Sequence, residues 1–403
     1  MKEVYILATI EADPVSEQTV REAFESDEVE LSFGEDGCLF SVSADETRVD
    51  VRFDVRKDGL GWTPDLLTGT QEAHDLLKNA KGFYRVAFEP GKPQGSVAVF
   101  EALWCIRSLL ENVTGVVVDV TAFKIHTAED IEEITELDFD IRDHITLHAV
   151  EAGKTATPMW VHSHGMTKFG LLDVEIFSLS EKDLQPAETF FHELCTDQAF
   201  GQGPTTRVPV ATSVGMGFQL LPCDEARRNL FGVLPPDTFD AHEAHFLTVV
   251  SPEGRHSMSE VLAQYRDRFE DETPEEAKAL LDRAKSMLPP FKARFGRKGL
   301  MEPLTFAIRA PFEVHPQDGK GEGQLKSSTP NVEEEQLWVE VLQWEEGTLV
   351  GKLVDGGETT TEWRKGAHVE IEETQINAIA LSREGRTLDE DEMKSLLLAE
   401  RPM

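Results

Sequence analysis

The sequence predicts a mixed α+β or α/β protein, with layered α/β N-terminal and central regions and a small β-rich module at the C-terminus. Apolar strand-like segments alternate with helical segments over the first 143 residues, capped helix starts recur along the chain, and short strands dominate after residue 300. Strands that alternate with helices are typical of layered α/β domains. We therefore expect three parts, at residues 1–143, 144–300 and 301–403.

The first part begins with an apolar strand at residues 4–10, after which Asp13 is expected to cap a helix. A long helix opening at Ser96 is apolar on more than one face, which predicts that it packs between other elements. Thr127 and Asp130 have the spacing of a capping box and predict a further helix start. The other expected elements are strands at 38–42, 49–55, 83–88 and 116–123 and a helix at 66–80.

The central part is expected to mix strands and helices and to end in two helices. Ser257 with Glu260 forms a capping box for the first of these helices. Pro289 and Pro290 are expected to end the second helix, because proline lacks the N–H that a helix interior needs. The other expected elements are a helix start at 273–276, strands at 160–164, 174–179 and 208–221, and a helix at 187–195.

The C-terminal module follows residues 317–331, which are rich in Gly, Lys, Ser and Pro and predict a flexible linker. Thr387 and Glu390 predict the start of a final amphipathic helix. The expected strands before it are 337–342, 348–354, 359–363, 368–371 and 376–381.

The chain is strongly acidic, with 75 Asp and Glu against 39 Lys and Arg and a net charge of −36. Such a field repels nucleic-acid phosphates and anionic membranes, so we expect neither as a partner. Two interpretations of the acidic charge stay open: it serves solubility alone, or it binds a basic protein partner. No apolar run approaches the ~20 residues that a membrane helix needs.

The cysteines indicate a reducing compartment. Cys38, Cys105, Cys195 and Cys223 are scattered, and no two of them have the Cys-x-x-Cys spacing of a zinc or redox site. The start of the chain also lacks the pattern of a secretory signal. Together these features predict a cytoplasmic location.

The sharpest candidate site is the segment Trp160-Val161-His162-Ser163-His164. His162 and His164 stand two residues apart on a predicted strand, so both should point to one face. Two imidazoles so placed suit zinc, and Glu175 follows eleven residues later as a candidate third ligand. A structural or hydrogen-bonding role is the leading interpretation of the pair, and the metal site is the alternative. We predict no catalytic residue and no cofactor, with zinc expected only if the pair binds metal.

The spacing from His162 to Glu175 is similar to the metal motif of JAMM-type isopeptidases, in which His-x-His precedes a Ser and an Asp. In this chain Leu172 stands at the Ser position and Glu175 at the Asp position. The resemblance implies a metal-dependent hydrolase, and the missing hydroxyl removes a group that would stabilise its transition state.

Weaker candidates have ordinary structural interpretations. His242 and His245 are three apart, which is not the His-Glu-x-x-His spacing of zincins. His192 and Cys195 lack a visible orienting group for a nucleophilic thiol. The other candidates are two Gly-x-Gly pieces (201–203 and 215–217), expected to be turns, and a basic patch (Lys292, Arg294, Arg297 and Lys298), expected to pair with acidic groups of the same chain.

Two stretches resemble known families. Residues 336–341, 349–354 and 365–369, with a Trp-containing strand and a Gly-Lys-Leu strand, resemble the small bacterial domain-of-unknown-function family 2314. The segment around His162 and His164 is similar to a Trp-x-His-Thr-His-Gly segment in large uncharacterised bacterial proteins with the same C-terminal domain. The resemblance implies a bacterial cytoplasmic protein and hints at an immunity-like binding role.

Two functions therefore stay open from the sequence. The first is a non-enzymatic binding or regulatory protein that uses acidic surfaces, with Trp160, His162, His164 and Glu175 as its candidate binding residues. The second is a metal-dependent hydrolase centred on His162, His164 and Glu175. The second requires that these three side chains converge on one point.

Overall fold

The computed structural model divides by internal contacts into two compact units. The first is built mainly from Met1–Glu136 and Asp140–Phe269, and the second from Leu137–Phe139, Glu270–Asp318 and Ser327–Met403. The three-part division at residues 143 and 300 stays a prediction. The described residues are 2–24, 29–34, 37–44, 47–55, 67–90, 95–151, 159–210, 217–229, 246–254, 256–266, 274–297, 304–313, 334–345, 347–354, 356–357, 363–383, 386–388 and 390–398.

The first unit mixes strands and helices along its length. Its described strands are β1 (Lys2–Thr9), β2 (Glu30–Phe33), β3 (Phe40–Ala44), β4 (Thr47–Asp54), β5 (Gly82–Phe88), β6 (Gly115–Asp119), β7 (Lys124–His126), β8 (Thr146–Glu151), β9 (Met159–His164), β10 (Asp173–Leu179), β11 (Gln219–Pro222) and β12 (Phe246–Val250). Its described helices are α1 (Glu17–Ala23), α2 (Gln71–Asn79), α3 (Gly95–Leu110), α4 (Ala128–Glu136), α5 (Ile141–His144), α6 (Leu184–Ala199), α7 (Cys223–Asn229) and α8 (Met258–Arg266).

The first sheet of this unit has the order β2-β3-β4-β5-β1-β6-β7, and its neighbouring strands are antiparallel. The interior strand β1 is apolar and buried from Val4 to Ala8. Ile6 and Ala8 pack with Leu77 of α2, and the alternate residues Tyr5 and Leu7 are equally buried. The strand is therefore covered on both faces, as its unbroken apolar run predicts.

The second sheet has the order β11-β12-β10-β9-β8. Its pairs are antiparallel except for β10 with β12, which run parallel. Helix α6 packs against β9 and β10 on one face. The turn between β6 and β7 of the first sheet reaches this second sheet, where the Thr146 hydroxyl donates a 2.6 Å hydrogen bond to the carbonyl of Ala122.

The second unit contains one antiparallel sheet with the order β16-β15-β14-β13-β17-β18. Buried residues of its strands form one core with Ala284, Met287 and Phe291 of α9 and with Met393 and Leu397 of α10. All three sheets together confirm the mixed α+β class. The described elements are α9 (Pro274–Phe295), β13 (Leu304–Glu313), β14 (Glu334–Glu345), β15 (Thr348–Leu353), β16 (His368–Glu372), β17 (Ala378–Arg383), β18 (Arg386–Thr387) and α10 (Glu390–Leu398).

Asp13 and the pair Pro289 and Pro290 do not mark the helix boundaries that they were predicted to mark. Helix α1 is capped by Ser16, whose hydroxyl accepts from the backbone N–H of Thr19, so Asp13 is not its cap. Helix α9 runs through Pro289 and Pro290 to Phe295, although these residues were expected to end it. Phe291 is fully buried in the core of the second unit, and this burial offsets the hydrogen bonds that the prolines cannot make.

The capping boxes at Thr127–Asp130 and Ser257–Glu260 are confirmed by reciprocal side-chain and backbone hydrogen bonds. Among the described helices, none is long and apolar enough to cross a membrane. Several predicted features lie outside the described residues: the linker at 317–331, His242 and His245, the strand at 359–362, Thr273, Gly215, Met216 and Lys298.

Candidate metal centre

Strand β9 places Trp160, His162 and His164 on one face of the second sheet, as the alternation of a strand requires. Ser163, which points the other way, lies against Cys195 of α6. The histidines therefore point away from α6. The strand at residues 160–164 and the shared face of the two histidines are confirmed.

Strand register adds neighbours to this face from three other strands. His148 of β8 pairs with His162, and Glu175 of β10 pairs with His162 from the opposite side. Thr248 of β12 pairs with Glu175 and extends the row. Residues directly opposite each other on adjacent strands share a face, so these four side chains form a polar row across the sheet.

Three histidines converge at one end of this row. The Nε2 atoms of His162 and His164 lie 3.1 Å apart. One ring nitrogen from each of His148, His162 and His164 falls within 4.8 Å of the other two. His162 is fully buried and His164 is 7% exposed, whereas His148 is half-buried on the edge strand β8. The cluster is therefore most exposed at its β8 side, where His148 lies.

The spacing suits a tetrahedral metal. Zinc binds imidazole nitrogens at about 2.0–2.1 Å, which places two ligand nitrogens of a tetrahedron about 3.3 Å apart. The His162 and His164 nitrogens already have nearly this separation. His148 is the less buried member, and its ring nitrogen lies within 4.8 Å of the other two. Three histidine ligands leave a fourth position for water or substrate.

Aromatic rings enclose the histidines. The indole of Trp160 stacks on His162 with ring centroids 4.0 Å apart and an interplanar angle of 25°. Phe246 meets His162 edge-on at 5.6 Å, and Phe123 meets His164 edge-on at 5.0 Å. Phe123 belongs to the β6–β7 turn and has a φ of 56°. These rings limit the rotation of the two imidazoles and exclude water from one side of the cluster.

Glu175 lies beside the three-histidine group and is engaged elsewhere. Its Oε2 accepts a 3.2 Å hydrogen bond from the indole N–H of Trp160, and its Oε1 accepts a 2.6 Å hydrogen bond from the hydroxyl of Thr248. The structure thus brings together His162 and His164, as predicted, and adds His148 where the sequence suggested Glu175. Glu175 touches the site through Trp160.

His148 is the residue that sequence reasoning missed. It is a single histidine in a short strand, and nothing in its own neighbourhood suggests a ligand. It joins the site only through the β8–β9 register, which pairs it with His162 across the seven residues 152–158 that connect the two strands. The alternation Thr146, His148, Val150 marks a strand, but it does not tell that this strand pairs with β9.

The His192 and Cys195 pair lies on α6, on the opposite side of the second sheet. Burial raises the pKa of the Cys195 thiol well above its usual range. Burial, assisted by the positive charge of Arg142, lowers the pKa of His192 to about 3. A buried protonated thiol is a weak nucleophile, so this pair has a structural rather than a chemical role.

The Gly-x-Gly piece at 201–203 lies just after the end of α6, and Gly201 has a φ of +71°. It is a turn after a helix, as predicted. In the basic patch, Lys292 forms an ion pair with Glu373, and its ammonium also lies 5.3 Å from the ring centre of Trp344. This confirms the expectation that Lys292 has an acidic partner within the chain.

A second buried polar group lies where the two sheets of the first unit approach each other. Lys168 and Asp119 form an ion pair with exposures of 0% and 1%, and Lys168 also donates a 2.6 Å hydrogen bond to the carbonyl of His144. Burial alone would raise the pKa of Asp119, but the charge and hydrogen bond of Lys168, together with Thr121, lower it below its usual value. The pair joins β6 to the short 3₁₀ helix Met166–Phe169.

Comparison with known proteins adds no family to these observations. The resemblance of the C-terminal strands to the domain-of-unknown-function family 2314 stays a prediction. No protein-family model, no curated protein and no solved structure matches the chain.

Proposed function

We propose that this chain is a metal-binding protein that holds one divalent transition-metal ion, zinc in the first instance, through His148, His162 and His164. The observation that carries the proposal is the convergence of three imidazole nitrogens within 4.8 Å of one another. Imidazole is a preferred ligand of zinc, copper and nickel, and three such ligands form a complete protein set for a site with one open position.

The surroundings support the proposal. The aromatic rings of Trp160, Phe246 and Phe123 hold the imidazoles in place, so little side-chain freedom is lost when a metal binds. His148 lies on the edge strand and is half-buried, so it is the member of the set nearest to solvent. Preorganised ligands, one of them near solvent, are what a reversible metal site requires.

A metal-dependent hydrolase is the second candidate function. It is favoured by the open fourth position, where a bound water would be acidified and made nucleophilic. It needs a substrate-binding cleft in addition to the metal. The hypotheses of a basic protein partner and of a cytoplasmic location remain proposals, and the four buried free cysteines accord with a reducing compartment.

The experiment is a zinc titration of the metal-free full chain by calorimetry. We expect one zinc per chain for the wild type and a loss of at least 100-fold in affinity for His162→Ala. His148→Ala and His164→Ala should weaken binding as well. His368→Ala is the matched control, because it removes an exposed histidine of the second unit and should leave the affinity unchanged. Equal zinc affinity in wild type and His162→Ala would overturn the proposal.

A further inference from the structure

Glu175 is a fully buried carboxylate with two identified donors. Its two oxygens each accept one hydrogen bond, from the indole of Trp160 on β9 and from the hydroxyl of Thr248 on β12. Both oxygens therefore act as acceptors, a role that an ionised carboxylate can fill at each of them. A buried negative charge is costly unless its surroundings compensate for it. Glu175 lies next to His162 on the adjacent strand, where a nearby cation would offset this cost.

Trp160 connects Glu175 to the histidine cluster. The hydrogen bond from its indole N–H to Glu175 fixes the plane of the ring, and that ring stacks on His162. Phe177 stacks against the same indole with ring centroids 5.8 Å apart and an interplanar angle of 10°. The orientation of the His162 imidazole therefore depends on an indole whose own orientation is set by Glu175.

The charge of Glu175 acts on the same site. A divalent cation held by three neutral imidazoles brings two positive charges into a largely buried region. A carboxylate on the neighbouring strand, with little water between, attracts that charge much more strongly than a surface carboxylate would. Groups beyond the ligands that orient an imidazole and balance the metal charge typically change metal affinity by about 10–100-fold.

We infer that Glu175 is a positioning residue of the proposed metal site, which holds Trp160 against His162 and supplies a negative charge from the strand next to His162. This inference rests on the proposed function. Thr248 belongs to the same arrangement, since its hydroxyl holds the second oxygen of Glu175. The row Thr248, Glu175, Trp160 and His162 then acts as one support that extends from β12 to the metal.

The test is the zinc affinity of Glu175→Gln in the metal-free full chain. Glutamine keeps the shape of the side chain and one acceptor oxygen but removes the charge. We expect zinc to bind at one ion per chain with about 10–100-fold lower affinity. Glu129→Gln, an exposed carboxylate on α4, is the matched control for net charge and should leave the affinity unchanged.

Two further variants separate a role at the site from a general loss of structure. Thr248→Val removes one hydrogen bond to Glu175 and keeps the carboxylate. We expect it to lower the melting temperature about as much as Glu175→Gln does, but to lower the zinc affinity less. Trp160→Phe keeps a ring and removes the N–H. It should weaken zinc binding and abolish any change in tryptophan fluorescence on zinc addition. If Glu175→Gln fails to fold, these two variants still decide the inference.

The outcomes distinguish the inference from the proposed function. Loss of binding in His162→Ala with wild-type affinity in Glu175→Gln overturns the role of Glu175 and leaves the metal site standing. Wild-type zinc affinity in both Trp160→Phe and Thr248→Val would likewise overturn the role of Glu175. Unchanged binding in His162→Ala removes the proposed function itself, and the inference with it.

Discussion

The Nε2 atoms of His162 and His164 lie 3.1 Å apart on the same face of one strand. At this distance one nitrogen must donate and the other accept, because two neutral acceptors or two protonated donors would repel each other. The pair can then form one N–H···N hydrogen bond in the absence of metal, with the donor set by the tautomers of the two rings. A metal ion replaces that proton and satisfies both nitrogens at once, which is why the pair is suited to a cation.

The ligand chemistry predicts metal selectivity. Zinc, nickel and copper(II) should raise the melting temperature of the metal-free protein, whereas magnesium and calcium should not, since they prefer oxygen ligands. At a free metal concentration 100 times the dissociation constant, binding raises the free energy of unfolding by about 2.7 kcal/mol. This corresponds to a rise of about 5–10 °C in melting temperature for a unit of this size. Thermal unfolding with each ion measures this. His162→Ala should show no rise with zinc, and an equal rise with magnesium would contradict the prediction.

The His-x-His pair shows what the sequence predicts well. Alternation along one strand is a local property, so the shared face of His162 and His164 follows from their spacing alone. The contribution of His148 depends on which strands become neighbours and in what register. That information is distributed over the whole second sheet, and no local pattern around His148 contains it.

Strand β13 shows a second limit of the same kind. It is the central strand that pairs with both β14 and β17, yet no strand was predicted at Leu304–Glu313. The segment contains Arg309 and Pro311, which are unusual in the middle of a sheet. The pairing with β17 ends at Arg309, before the proline is reached. The sheet accepts Pro311 because only one neighbour flanks that end of the strand.

The ion pair between Lys168 and Asp119 predicts a large stability effect. Replacing Lys168 by Met leaves Asp119 buried without its counter-charge, which should lower the free energy of unfolding by about 3–5 kcal/mol. Urea unfolding measures this. The double variant Lys168→Met/Asp119→Asn should be less destabilised than the sum of the two single variants, because the second change removes the stranded charge.

Lys182→Met is the control for this pair, since Lys182 is exposed and its replacement should change stability by no more than about 0.5 kcal/mol. A Lys168→Met variant as stable as Lys182→Met would show that Asp119 does not need its partner.

Asp173 predicts a pH dependence of stability. Burial raises the pKa of Asp173 to about 7, although hydrogen bonds from the backbone N–H of Met166 and the hydroxyl of Ser163 act to lower this pKa. Between the unfolded value of about 3.9 and the folded value, the folded state holds a proton that the unfolded state has lost. This contribution is complete below about pH 4 and is lost as the pH rises through 7. Across that interval the free energy of unfolding should fall by about 1.4 kcal/mol for each step of one pH unit.

Urea unfolding of Asp173→Asn from pH 4 to pH 8 isolates that contribution. The variant stays neutral, so its stability relative to the wild type should improve as the pH rises towards 7 and then level off. Asp75→Asn, which changes an exposed residue of α2, should show no such trend. A constant difference between Asp173→Asn and wild type over this range would contradict the raised pKa.

Gly165 predicts a link between backbone conformation and the metal site. It follows His164 directly and has a φ of +122°, which side chains other than glycine rarely adopt. A Cβ at this position would also overlap the carbonyl oxygen of His144. Gly165→Ala must therefore shift the backbone next to a ligand. We expect a loss of more than about 2 kcal/mol in unfolding free energy and a measurable loss of zinc affinity.

Gly201→Ala provides the comparison, because Gly201 also has a positive φ, +71°, but no atom lies within 4 Å of where its Cβ would be. Gly201→Ala should lower the free energy of unfolding by about 1–2 kcal/mol, because alanine disfavours the left-handed conformation. It should leave zinc binding unchanged. The difference between the two variants combines the close approach to His144 with the larger backbone cost of the φ of +122° at Gly165. If both alanine variants bind zinc like the wild type, the His164 backbone tolerates the shift and the ligand geometry does not depend on Gly165.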